Sequence, residues 1–564
     1  MGPFLAAIGL LGSFMTLVVQ AQNPHHAIDP TLFAGIKPNT ELEWHDCYSV
    51  FKCARFTVSP FPSLSCITLS THIKQVHEKI DDPRKPKKVK GKCGQPTVDL
   101  AIVKLPYVAA PGGTPHQGAV HVALGGWSSS STNFLVRFGE DYAPLFAGYD
   151  LLAIETQDYR GWGWTTPSFR CFATEDDRKQ FALSEPPLLG ADDAAFSLRE
   201  KRAEEFGKKC KKNGEDIGRF MGTYANAVDH YTVMKAENRT KLGFWGVSSG
   251  AHLGQTIAQL YPEAVDKFLF DSPTPSSLAY TVTQTQTSQI QDAERGLEAF
   301  FYTCLNSAPG TCAFANTSKT TTALRARYTA LEAKLKSKPL SIPGSDNKFD
   351  WSALHTFTTT ALHAPGWFPV LAGVFAEVEN GTAGPAIVGA VSSSLTVPPA
   401  RLPLLTEEAP FEGILSGVCI DESQHIKNTN DFKAYLKSMV AAAPSVAPIF
   451  ADWRLVCSKW KIDPANRFPD VSSEPVRTQG KIVVLNGVGD PASSVEGAKS
   501  VAARFSPSVL VRNLAPGHTS FAAASNCLFG LFYTFFVLGQ MPTEGYTCGD
   551  VFAPAFGVQL PAGF

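Results

Sequence analysis

Six short apolar runs constrain the fold of this chain more than any other feature: VHVALGG at 120–126, YDLLAIETQDYRG at 149–161, LGFWGVSSG at 242–250, KFLFDSP at 267–273, KIVVLNGVGD at 481–490 and SVLVRNLAPGH at 508–518. Strands buried on both faces read as continuous apolar stretches, and parallel strands need helices between them. The helix after LGFWGVSSG is legible directly: Leu253, Ile257, Leu260 and Tyr261 repeat at helical spacing and stop at Pro262. The runs therefore predict an α/β fold with a mostly parallel central sheet.

The runs are interrupted between about 276 and 475. There a polar stretch, TVTQTQTSQIQ, gives way to DAERGLEAFFYTC, in which Leu297, Phe300, Phe301 and Cys304 recur at helical intervals. We expect a mainly helical lid at 276–475, inserted between a core part at 22–275 and a C-terminal core part at 476–564. The 564 residues exceed the ~250–300 at which one hydrophobic core stops growing, so a decorated domain or two coupled ones are required. With 18% charged residues and a net charge of −1, the chain has no electrostatic footprint for nucleic acid, and no such partner is expected. The basic run DDPRKPKKVKGK at 81–92 reads as a solvated loop.

The first residues, MGPFLAAIGLLGSFMTLVVQAQNP, form an apolar stretch ending in Val19-Gln20-Ala21, the small-residue pattern of a signal peptide cleaved after Ala21. No Lys or Arg precedes it, which leaves an uncleaved anchor as the alternative. After signal removal no membrane association is expected. A secreted chain makes disulfides the default for its twelve cysteines, and no CxxC spacing marks a metal site, so neither metal nor cofactor is expected. Sequons at Asn238, Asn316 and Asn380 are candidate glycosylation sites.

A serine hydroxyl needs a base to take its proton and a turn that projects its oxygen clear of the backbone. Gly246-Val247-Ser248-Ser249-Gly250, between a strand and a helix, supplies the turn, because the glycines let the chain bend sharply around Ser248. In this arrangement the acid and the histidine follow at later strand ends. Asp490 closes KIVVLNGVGD and His518 lies in LAPGHTSF, both in the required order. His518 would accept the Ser248 proton and Asp490 would fix the imidazole. For the oxyanion, the N–H of Ser249 and one from the loop after VHVALGG, through Trp127 or Gly126, are the candidate donors. His252, on the helix behind Ser248, reads as a core residue.

DYRGWGWTTP at 158–167, the Ser248 turn with YPEAVDKFLFDSP, VCIDES with a later CSKW, NGVGDP, and GHTSF leading to Cys527 and GYTCGD together resemble the secreted tripeptidyl and prolyl aminopeptidase-like α/β-hydrolases with a TAP-like C-terminal segment. The resemblance covers most of the chain after residue 44. It implies an α/β-hydrolase fold, a Ser248–Asp490–His518 triad, Asp158 and Arg160 as a structural strand-end pair, and disulfides Cys304–Cys312, Cys419–Cys457 and Cys527–Cys548. The family's Gly-Gly-Pro-Gly loop is replaced here by Gly125-Gly126-Trp127-Ser128, and its Tyr after the nucleophile by Ser249.

The expected function is therefore that of a secreted serine hydrolase acting through an acyl-enzyme on a small peptide or acyl small molecule. Exopeptidase action at the free N-terminus of short peptides leads, and an esterase, lactonase or thioesterase acting on a small metabolite is the alternative. An aminopeptidase needs a lid carboxylate for the substrate amine, and Glu294, Glu298, Glu407, Glu408 and Asp421 are available. A binding protein that keeps the fold without catalysis is the reading from another class, but such a protein has no need of an intact triad. Oligomeric state has no sequence signal here.

Overall fold

The computed structural model describes residues 32–59, 97–109, 111–126, 130–155, 163–275, 286–315, 318–392, 411–422, 426, 428–466, 475–561 and 564. The expected signal peptide, Trp127, Asp158, Arg160, Asn316, Glu407 and Glu408 lie outside these residues.

Twelve strands are numbered in chain order: β1 His45–Cys47, β2 Phe51–Val58, β3 Val98–Leu105, β4 Gly118–Ala123, β5 Tyr149–Ile154, β6 Leu242–Val247, β7 Val265–Asp271, β8 Leu340–Ser341, β9 Lys348–Phe349, β10 Val476–Val488, β11 Phe505–Pro516 and β12 Thr547–Cys548. Ten of them form one sheet in the order β1-β2-β3-β5-β4-β6-β7-β10-β11-β12. The β1/β2, β2/β3 and β3/β5 pairs are antiparallel, and every pair from β5/β4 onward is parallel. All six residues of β5 and of β6 are buried, as expected for strands covered on both faces. The six apolar runs correspond to β4, β5, β6, β7, β10 and β11.

From Gln286 to Ser458 the described chain is helical apart from the small β8–β9 pair. Helix Thr321–Ser337 is started by Thr320, whose Oγ1 accepts from the N–H of Ala323 at 3.1 Å, and Asp350 does the same for helix Trp351–His363 through Ala353 N–H at 2.9 Å. Leu324, Tyr328, Leu331 and Leu335 then face the interior at helical spacing. They join a core built around Phe300, Phe301, Phe357 and Phe375, separate from the cores that cover the sheet.

A segment between β5 and β6 also packs into this helical body, which the sequence reading assigned to 276–475 alone. Phe169, Phe172, Phe206 and Cys210 share a buried cluster with Cys419, Cys457 and Trp460. Gly207 in helix Ala195–Gly218 lies against the carbonyl of Lys459, so close that a β-carbon would collide with it. Five disulfides join Cys47–Cys53, Cys171–Cys210, Cys304–Cys312, Cys419–Cys457 and Cys527–Cys548. Asn238 and Asn380 are both exposed.

Candidate active site

The parallel strands deliver their carboxyl ends to one edge of the sheet, where doubly wound α/β proteins place their sites. Ser248 follows β6 at φ 56° and ψ −118°, a backbone conformation uncommon for a residue with a β-carbon. Two glycines make that turn possible. A β-carbon on Gly246 would run into the carbonyl of Gly250, and one on Gly250 into the carbonyl of Ala123 at the end of β4. The turn is held by Ser248 N–H, which donates to the Asp271 carbonyl at 2.8 Å, and by Ala251 N–H, which donates to the Ser248 carbonyl at 2.9 Å.

The turn after β10 carries Asp490, and the loop after β11 carries His518. The Ser248 hydroxyl donates to His518 Nε2 at 2.8 Å, and His518 Nδ1 lies 2.9 Å from both Asp490 oxygens. Asp490 is fully buried and also accepts from the N–H groups of Ala492 at 2.9 Å and Ser493 at 3.0 Å and from the Ser493 hydroxyl at 2.9 Å. Burial opposes its charge, but the His518 charge and the hydrogen bonds from His518 and Ala492 prevail, leaving its pKa below the usual carboxylate value. The reverse holds for His518: burial disfavours its cation, yet the charge and hydrogen bond of Asp490, with a further contribution from Asp271, raise it. The structure thus brings Ser248, Asp490 and His518 into one hydrogen-bonded line.

Of the oxyanion donors read from the sequence, Ser249 and Gly126 are among the described residues. Ser249 is the first residue of helix Ser249–Leu260 and is buried; Gly126 is exposed at φ 85°. A β-carbon on Gly125 would overlap that of Ser248 and come within 2.9 Å of its Oγ, so the β4 loop lies directly beside the nucleophile candidate. Beyond the loop, Ser130 caps helix Ser131–Tyr142 and donates to buried Glu155 at 2.7 Å. Trp245 on β6 stiffens the floor, its ring packed against Phe134, Tyr142, Phe146, Phe521 and Phe532 with centroids 5.2–6.2 Å apart. His252 is buried, as read from the sequence, and burial pushes its pKa down to about 4.

Two residues near the line were not singled out in the sequence. Asp271 ends β7 beneath His518, and His363 ends a helix of the helical body beside it. Their only sequence signals are an acidic residue closing a buried apolar run and a histidine closing a helical one. The described amine-anchor candidates are engaged elsewhere: Glu294 with Arg325 at 2.6 Å and the Ser445 N–H at 3.0 Å, Glu298 with Arg325 at 3.5 Å, and Asp421 with Thr223 N–H at 3.0 Å and its hydroxyl at 2.5 Å. Among the described residues, no group of three or more His, Cys, Asp or Glu is placed to hold a metal ion.

This sheet order, with the serine turn after β6 and the acid and histidine after β10 and β11, is that of an α/β-hydrolase. Residues 443–548, which contain Asp490 and His518, match the family model described as TAP-like protein. No curated protein matches the chain. Solved structures similar to it include a hydrolase from Pseudomonas aeruginosa (11% identity, 78% of this chain and 95% of that one, TM-score 0.31). They also include a proline iminopeptidase from Mycobacterium smegmatis (11%, 78% and 94%, 0.31) and an esterase from Exiguobacterium antarcticum (10%, 74% and 87%, 0.27).

Proposed function

We propose that this chain is a secreted serine hydrolase that works through an acyl-enzyme, and that its leading activity is release of residues from the free N-terminus of short peptides. One observation carries the reading: the hydrogen-bonded line from Ser248 through His518 to Asp490, at 2.8 and 2.9 Å, at the carboxyl ends of three parallel strands. His518 takes the hydroxyl proton as Ser248 Oγ adds to the acyl carbon. The imidazolium is stabilised by buried Asp490, and its proton then passes to the leaving group. In this reading the oxyanion is stabilised by the N–H of Ser249 and by one from Gly126 or Trp127. Water repeats the cycle on the ester and frees Ser248. Five disulfides, added to the apolar stretch at 1–21, support export to an oxidising compartment.

The peptidase reading rests on the family resemblance and the TAP-like match. The ester reading is favoured by a separate observation, the engagement of Glu294, Glu298 and Asp421 in contacts within the protein. The test is parallel turnover of free-amine peptides, blocked peptides and simple esters by the purified protein and its Ser248→Ala variant. Turnover of any of these that the variant retains would remove the serine-hydrolase reading for that substrate.

A further inference from the structure

We infer that Asp271 is a second, positioning carboxylate of the site, one that fastens the nucleophile turn to the histidine loop and places its charge beneath His518. The inference rests on the serine-hydrolase reading above. Asp271 grips both partners at once. Its carbonyl accepts the Ser248 N–H at 2.8 Å, while its carboxylate accepts the Ser520 N–H at 2.9 and 3.2 Å and the Ser520 hydroxyl. The next residue, Ser272, continues the clasp. Its Oγ accepts the Thr519 N–H at 2.9 Å, and its own N–H donates to the Leu485 carbonyl of β10 at 2.7 Å. Ser272 and Thr519 both sit at positive φ, 53° and 71°, so the two strained segments meet where these bonds form.

A tether alone does not need an acid, since serine or asparagine can accept hydrogen bonds equally. Asp271 is fully buried, and no lysine or arginine pairs with it among the salt bridges of the described residues. The groups acting on it are His518 and Ser520 from the histidine loop and Trp245 from β6, and its own charge acts on Tyr142 from helix Ser131–Tyr142. Around His518 the charged or titratable groups are Asp490, Asp271 and His363. Burial pushes Asp271 up to about 6, partly offset by Ser520 and His518, and its negative charge in turn favours the His518 imidazolium. Asp271 makes no hydrogen bond to the His518 ring, so it acts through the loop and through the field.

The experiment follows the rate of fluorophosphonate labelling of Ser248 against pH in the wild type, Asp271→Asn and Ser520→Ala. Asparagine keeps an acceptor for Ser520 and removes the charge. Labelling should slow by roughly tenfold or more, and the acid limb should move to lower pH because the imidazolium has lost a stabilising anion. Ser520→Ala keeps the charge and loosens the clasp, so labelling should slow while the acid limb stays in place. Wild-type rate and acid limb in folded Asp271→Asn would overturn the inference while leaving the triad intact. Should Asp271→Asn not fold, wild-type labelling by Ser520→Ala overturns the clasp on its own. An unlabelled wild type would remove the serine-hydrolase reading and this inference with it.

Discussion

The carbonyl of His363, the last residue of helix Trp351–His363, accepts the backbone N–H of His518 at 2.9 Å, and the two imidazoles meet edge to face with centroids 5.2 Å apart. The helical body therefore holds the general-base candidate directly. Gly517 is part of the same joint: at φ 112°, a β-carbon there would press on Pro365 Cδ at 2.7 Å and on the His363 carbonyl at 3.0 Å. The acid is held similarly. Gly489, at φ 65°, lies against Gly296 of helix Ala293–Leu305, and Gln289 donates to the Ala492 carbonyl at 2.9 Å. At this edge the helices are a scaffold for Asp490 and His518.

His363 Nδ1–H donates to the Thr359 carbonyl at 2.7 Å, and burial together with the nearby His518 charge pushes its pKa down to about 4. It is neutral at pH 7, as a neighbour of a forming imidazolium should be. His363→Lys should lower kcat/KM by roughly tenfold, since ~3 kcal/mol of repulsion at ~5 Å and an effective dielectric near 20 is reduced by solvent at a partly exposed site. His363→Phe keeps the ring contact and the backbone bond and should stay within about threefold of wild type, because no charge is added. Equal activity in the two variants would contradict this account.

Removing Ser248 or His518 tests the triad itself. Ser248→Ala and His518→Ala should each lose ~10³-fold or more in kcat while folding normally. Mass mapping after fluorophosphonate treatment should place the label on Ser248 alone. A label on another serine, or near-normal turnover by either variant, contradicts the assignment.

Stability should fall in acid. His230, His252 and His363 are pushed by burial to about 3, 4 and 4, and His121 is lowered by burial and by the adjacent His230, whose Nδ1 is 2.9 Å from its own. Each binds its proton more tightly when unfolded, so its contribution is complete above about pH 6.5 and is lost as pH falls towards 4 and 3. Asp271 and Glu412, raised by burial to about 6 and 7, act in the opposite sense: their contribution is complete below the ordinary carboxylate range and lost as pH rises through 6 to 7. Asp452, raised by burial, and His518, raised by Asp490, act in that same sense, whereas Asp490, held low by His518, adds to the loss in acid; between pH 7 and pH 4 the four lowered histidines dominate. The thermal midpoint should drop between pH 7 and pH 4, and an unchanged or rising midpoint would show that these histidines are not buried neutral.

Five disulfides account for ten of the twelve cysteines, leaving Cys66 and Cys93, which lie outside the described residues. Alkylation of the unreduced protein should modify at most those two, as read by intact mass, and more than two modified cysteines would contradict the pairing. Reduction should lower the thermal midpoint, because a native disulfide contributes ~2 to 5 kcal/mol in small domains and less in a chain of this size.

What could be read from the sequence follows from how local each signal is. β4, β5, β6 and the C-terminal parts of β7 and β10 are buried on both faces, and their apolar runs announce them, while β11 keeps an apolar run although it alternates between buried and partly exposed residues. FKCARFTV and VDLAIVKL, which form antiparallel β2 and β3, interleave Lys, Arg and Asp with apolar residues and were not singled out. Half the residues of helix Ala195–Gly218 are charged, although its Phe206 and Cys210 pack in one cluster with Cys457 and Trp460 of the helical body. Ser248 has a local motif, whereas Asp271 meets Ser520 across 249 positions and His363 meets His518 across more than a hundred. Only the folded sheet brings such pairs together.

Specificity gives the sharpest test of the proposed activity. An aminopeptidase must meet the substrate ammonium with a carboxylate, and Glu294, Glu298 and Asp421 already serve Arg325, Ser445 and Thr223. If Glu407, Glu408 or another lid carboxylate takes that role, acetylating the amine strands a charge and costs several kcal/mol, roughly 10²-fold or more in kcat/KM. If Gly126, Trp127 and Ser249 instead shape the mouth for a neutral acyl group, acetylation changes little and simple esters are cleaved faster. The deciding quantity is kcat/KM for a free-amine peptide anilide divided by that for its acetylated form. The family resemblance leads us to expect a large ratio, lost on exchange of one lid carboxylate for its amide. A ratio near one, with ester cleavage dominant, would move the assignment to the esterase reading while leaving Ser248, Asp490 and His518 in their roles.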